Sequence, residues 1–112
     1  MTCKPFDVVV IPFPFTDSGK TKRRPALVLS GHGIFGKQSG HTVMAMITSA
    51  KNTSWSLDVQ IDDLSSAGLT APSTIRMKLF TLDNRFIIRN AGKLAKPDIK
   101  KFKDAFSKLL KW

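Results

Sequence analysis

The apolar residues of this chain change their spacing once, and that change limits the folds open to it. Before residue 97 they come in short runs rich in Val, Ile, Thr and Phe. These are residues 7–15 (DVVVIPFPF), 25–30 (PALVLS), 42–49 (TVMAMITS) and 74–82 (TIRMKLFTL). Runs of this length and composition predict strands. From Pro97 onward the apolar positions are Ile99, Phe102, Ala105, Phe106, Leu109 and Leu110, the three-and-four spacing of an amphipathic helix. Strands first and one helix last, without strand–helix alternation, predict a mainly β fold. It is a small, curled, antiparallel sheet with a C-terminal helix packed on it. A chain of 112 residues, 42% of them hydrophobic, has material for one core and one domain spanning 1–112.

Punctuation refines this layout. Pro12 and Pro14 lack an N–H and mark an edge or the end of pairing. Residues 16–24 (TDSGKTKRR) read as a polar turn, and residues 31–40 (GHGIFGKQSG), with four glycines, as a loop. Residues 57–61 (LDVQI) alternate with period two and predict a strand with one wet face. Residues 62–72 are turn-rich, and 86–89 and 92–94 are short pieces beyond an Asp83–Asn84 turn. In 74–82, Ile75, Met77 and Leu79 alternate with Arg76, Lys78 and Phe80, which predicts a basic face. Pro97 and Asp98 suit the start of the final helix, and Lys108 and Lys111 its end. The lysines at 100, 101, 103 and 108 read as its solvated face.

Charge narrows the function. Eighteen Lys and Arg stand against eight acids, all of them Asp, for a net charge of +10. Such a domain is drawn to polyanions, of which nucleic acid is the commonest in a cytoplasm. One cysteine, Cys3, supports neither an internal disulfide nor a cysteine-based zinc site and reads as an incidental thiol of a reducing compartment. No apolar run approaches the roughly 20 residues of a membrane span, and the N-terminal residues do not read as a signal peptide. The expected location is therefore the cytoplasm, with no membrane partner.

Two tempting motifs fail on chemistry. GHGIFGKQ at 31–38 nearly spells a phosphate-cradling loop, but Gln38 stands where a magnesium-binding hydroxyl belongs. His32 and His41 lack a cysteine or nearby carboxylate to complete a metal set, and Asp62–Asp63 reads as a solvated turn. No metal site is expected. What remains is basic. Lys20, Lys22, Arg23 and Arg24 feed a strand at Pro25, which biases Arg24 toward an extended backbone. Thr48 and Ser49 end another strand and are followed by Lys51. In a curled sheet two strand ends can place an Arg fork and a hydroxyl around one phosphate.

These blocks carry a resemblance. Residues 7–17, 22–30 (KRRPALVLS) and 47–49 (ITS) resemble the PemK/MazF family of endoribonuclease toxins from type II toxin–antitoxin pairs. Pro72–Ser73, Arg76, FTLD at 80–83, Arg85, Gly92 and Leu94 continue it to the final helix. The resemblance implies an SH3-like antiparallel barrel of the PemK/MazF/CcdB kind, acting as a homodimer. It also implies cofactor-free, metal-independent cleavage of single-stranded mRNA at short sequences, leaving a 2′,3′-cyclic phosphate and a 5′-hydroxyl.

The family's catalytic Arg falls on Arg24, its Thr on Thr48, and an Arg used by some members on Arg76. Where some members carry a candidate base, an Asp two residues later, this chain has Lys78, which as an ammonium cannot take a proton. Lys20, Lys22, Arg23, Ser49, Lys51 and Lys78 are the expected RNA contacts, and Trp55 either stacks on a base or is a half-buried strand aromatic. A cognate acidic antitoxin is the implied protein partner. The rival readings are a basic barrel that binds RNA without cutting it and a gyrase-poisoning toxin of the same fold. The second needs neither Arg24 nor Thr48.

Overall fold

The apolar stretches of three strands are buried on both faces, which explains why those runs are continuous. In the computed structural model, which describes residues 2–13 and 22–112, these strands are β1 (Asp7–Phe13), β2 (Lys22–Val28) and β3 (His41–Ser49). They are joined by β4 (Val59–Gln60), β5 (Ser73–Asp83) and β6 (Arg89–Lys93) in one six-stranded sheet of order β4-β5-β3-β2-β1-β6. Every pairing is antiparallel. Val8, Leu27, Ala45, Ile47 and Ile75 point to one face, where helix α2 (Lys96–Leu109) adds Phe102. Val9, Ile11, Ala26, Val28 and Met44 point to the other, with Cys3 and Ile87. The result is the expected curled half-barrel with a C-terminal helix.

Prolines sit where a missing donor breaks no ladder bond. The Ile88 N–H donates to the Val10 carbonyl (2.8 Å), so even-numbered positions of β1 address β6. That ladder ends at Val10–Arg89, short of Pro12. Just past β2, the Leu29 N–H donates to the Val43 carbonyl, so odd positions of β2 address β3. The β2–β3 ladder ends at Ala26–Met46, one residue short of Pro25.

Several details differ from the sequence reading. The glycine-rich segment contains a short helix, α1 (Ile34–Ser39), which stops where Gly40 adopts φ 70°, a left-handed cap that glycine takes without strain. Lys22, Arg23 and Arg24 belong to β2 and not to a turn. The strand expected over 57–61 shrinks to Val59–Gln60, because Leu57 has φ 68° and Asp58 folds back on the chain before it. On α2 the buried stripe ends near Phe106, leaving Leu109 and Leu110 half-exposed.

Asp62 and Asp63 are more than a solvated turn. Their backbone N–H groups donate to the carboxylate of Asp98 at 3.0–3.2 Å, and Asp98 is only 1% exposed. The first turn of α2 thereby fastens the segment leading out of β4. That segment then lies against β6, where a Cβ on Gly92 would come within 2.5 Å of the Ser66 carbonyl. These contacts close the curl of the sheet.

Candidate functional site

One end of the sheet gathers the residues of interest. β1 ends there and β2 begins, β3 ends and β5 and β6 begin. Side chains alternate along a strand, so register decides which of them share a face. Ala26 pairs with Met46, and Met46 with Arg76. Two residues further along, Thr48 pairs with Thr74, and extending the β2–β3 register puts Arg24 opposite Thr48. Arg24, Thr48 and Arg76 therefore occupy one face at one end, brought together from three strands.

Their surroundings differ. Thr48 is 3% exposed, and its hydroxyl oxygen accepts a bond from the Asn52 side-chain amide at 2.6 Å. Arg76 is buried too. Its Nη2 donates to the Thr53 carbonyl (2.6 Å) and to Asp58 (3.0 Å), and its Nε to Asp58 (3.3 Å). The Trp55 ring lies 4.8 Å from the guanidinium carbon. Burial pushes the Asp58 carboxyl up, but the bond from Arg76, the bond from the Trp55 N–H and the Arg76 charge outweigh it and hold the group below the ordinary aspartate range. So the basic face expected of β5 is not exposed at Arg76, which anchors the 50–58 loop. Arg24, half-buried on β2, makes no ion pair or hydrogen bond through its guanidinium among the described residues.

The remaining expected contacts separate. Lys22 shares the face of Arg24 and is exposed, whereas Arg23 projects to the opposite face. Ser49 also faces away from Thr48 and accepts the Lys51 N–H in the turn after β3. Lys51 is exposed on that turn. Lys78 stands in a bulge of β5, where Met77 and Lys78 are skipped between Arg76–Met46 and Leu79–Ala45. Trp55 is 47% exposed and sits on a loop, not a strand. Lys20 lies outside the described residues. Cys3 is buried, and desolvation, with the charge of Asp7, pushes its thiol up and away from a reactive thiolate. Among the described residues no group of three His, Cys, Asp or Glu is placed to hold a metal ion, and no helix is long and apolar enough to cross a membrane.

Sequence reasoning missed Asn52, Asp58 and Arg89. The spacing of Trp55 and Asp58 was the available signal for a turn, since an Asp side chain readily caps an N–H three residues back. Arg89 gave no signal, because its strand is too short to show a period.

The family of PemK-like, MazF-like toxins of type II toxin–antitoxin systems matches residues 4–110. The chain belongs to this family. Among solved structures, the MazE–MazF complex (form II) from Deinococcus radiodurans superposes with a TM-score of 0.73 at 18% identity, over 99% of this chain and 97% of that one. An endoribonuclease in complex with its cognate antitoxin from a mycobacterial species gives 0.75 at 16%, over 98% of each. The Mycobacterium tuberculosis toxin MazF-mt6 gives 0.72 at 19%, over 95% and 99%. At such identities the likeness establishes the toxin's fold. No curated protein matches the chain.

Proposed function

We propose that this toxin is a metal-independent, sequence-specific endoribonuclease that cuts single-stranded mRNA. The observation that carries the proposal is an Arg24 guanidinium, unpaired among the described residues, on the same face and sheet end as the Thr48 hydroxyl. In the reaction the 2′-hydroxyl attacks the adjacent phosphorus and the bond to the 5′-oxygen breaks. A 2′,3′-cyclic phosphate and a 5′-hydroxyl result. Negative charge grows on the non-bridging and leaving oxygens, and fixed donors aimed at that charge lower the barrier. Arg24, always protonated, supplies the charge. Thr48 already accepts from Asn52, so its own proton is left to donate to a non-bridging oxygen. Arg76 acts through the 50–58 loop that it holds in place. Lys22, Lys51, Lys78 and Trp55 border the RNA path, and no residue is assigned as the base.

A homodimer with the RNA groove across its two-fold axis, and an acidic antitoxin that folds onto the +10 surface, complete the proposal. The solved relatives bound to antitoxins support the second.

The test is incubation with a long RNA in EDTA and mapping of the new 5′-hydroxyl ends. Arg24→Ala should lower single-turnover cleavage by about 10²–10³, the usual effect of removing one preorganised donor. Arg24→Lys should rescue little, because it keeps the charge and loses the planar fork. RNA retained without scission would leave a binding protein in place of a nuclease, and a folded Arg24→Ala that cuts like the parent would remove Arg24 from the site.

A further inference from the structure

We propose a second nucleotide site beside Arg24 at the same sheet end, where Arg23 and Arg89 take a flanking phosphate of the RNA strand. This rests on the nuclease reading for the identity of the ligand as single-stranded RNA. An open cleft of about 280 Å³ lies there, lined by Val10, Arg23, Pro25, Thr70, Arg89 and Ala91, and Arg24 also lines it. Register explains its composition. Val10 pairs with Pro25 on one side and with Arg89 on the other, so these three side chains rise from one face of three adjacent strands. Arg23, two residues from Pro25, shares that face. Val10, Pro25 and Ala91 make an apolar floor, and Thr70 brings a hydroxyl from the segment before β5.

Among the described residues the charges in this cleft are uncompensated. Of the chain's five arginines, Arg76 and Arg85 are held by Asp58 and Asp83. The side chains of Arg23 and Arg89 make no ion pair or hydrogen bond among the described residues. Two guanidinium forks and a hydroxyl over an apolar floor match one nucleotide. The forks bind phosphate oxygens, while the floor and the flat guanidinium faces carry sugar and base.

The route from one site to the other is also built in. Arg23 and Arg24 are consecutive on β2 and project to opposite faces. Arg24 nevertheless lines the cleft beside Arg23. A strand gripped by Arg24 therefore continues into the cleft.

Fluorescence anisotropy with 2′-O-methyl RNA oligonucleotides, which lack the attacking hydroxyl, separates binding from cleavage. For oligonucleotides long enough to occupy both Arg24 and the cleft, Arg89→Ala and Arg23→Ala should each weaken binding about five- to tenfold. Each should also reduce the log–log salt slope by about 0.7, the value of one phosphate contact on a single strand. In cleavage assays the Arg89→Ala loss should fall on KM, in contrast to the kcat loss of Arg24→Ala. Arg89 is exposed at a strand start, so circular dichroism should show a folded variant.

An Arg89→Ala protein that binds every length with the parent's affinity and slope overturns the site. So does Arg89-dependent binding of an Asp-rich peptide without any Arg89-dependent binding of RNA, since the cleft would then take carboxylates. If the parent cuts no RNA yet its binding depends on Arg89, the cleft stands and the nuclease reading falls. If it cuts and Arg89 is indifferent, the reverse holds.

Discussion

The two sides of this sheet end use cations in opposite ways. Around the 50–62 segment the cations that reach in from β5 and α2 have partners. Arg76 is locked to Asp58 and the Thr53 carbonyl, and Lys101 to Asp62 (2.9 Å) beside Asp98 (3.5 Å). Around the start of β2 and β6, Arg23, Arg24 and Arg89 have none among the described residues. The difference lies in where a small number of acids is placed. With eight Asp against eighteen cations, pairing at one region leaves another to bind anions from outside. Buried, paired groups hold the fold, whereas half-exposed, unpaired ones are available to a ligand.

Three experiments sharpen or break that contrast. The largest effect on stability belongs to Asp98→Ala. It leaves the Asp62 and Asp63 N–H groups without their acceptor in a place where the carboxylate is 1% exposed. Losing charge-assisted bonds of this kind should cost about 3 kcal/mol, read by urea unfolding at neutral pH. A cost near zero would mean that the Asp98 contact does not fasten the segment after β4.

Next comes the paired arginine against the unpaired one. Arg76→Ala should destabilise by about 2 kcal/mol, between the value of exposed pairs and that of fully buried ones, since the side chains are 9% and 15% exposed. Arg24→Ala should leave the melting temperature nearly unchanged while removing cleavage. If both variants lose the same stability, the division into holding and binding arginines fails.

The smallest effect is a pH dependence. The Asp58 carboxyl lies below its ordinary range in the folded chain, so its contribution is complete above the unfolded aspartate value of about 3.9. As pH falls from there through the depressed folded value, that contribution is lost. The melting-temperature advantage of the parent over Asp58→Asn should therefore hold from neutral pH to about 5 and shrink below about 4. An advantage that disappears between pH 7 and 5 would assign it to a different group.

The strands at the centre of the sheet and the final helix were legible because burial writes a local period. Val8–Ile11 and Met44–Ile47 read as strands from their runs alone, and Ile99 to Phe106 as a helix. Departures came where a side chain bonds back to its own neighbourhood. Gly40 ends an unexpected helix, and Asp58, bonded to the Trp55 N–H and to Arg76, cuts a strand to two residues. For the candidate site, residue types and strand ends were readable, and the conjunction of Arg24 with Thr48 follows from them once the register is known. The burial of Arg76 was not readable. Its partners lie 18 and 23 positions away, and no spacing rule connects them.

The sequence by itself determined the order of elements, the positive excess and the presence of an Arg–Pro strand start and a Thr–Ser strand end. Each depends on neighbours within a few residues, through alternation, period and backbone restriction. Only the tertiary structure decided which cations are neutralised. That depends on where eight carboxylates arrive after distant segments cross. Asp58 reached Arg76, Asp98 reached the backbone of Asp62 and Asp63, and none of the described ones pairs with Arg23, Arg24 or Arg89. Coulomb attraction acts through space and takes no account of separation along the chain.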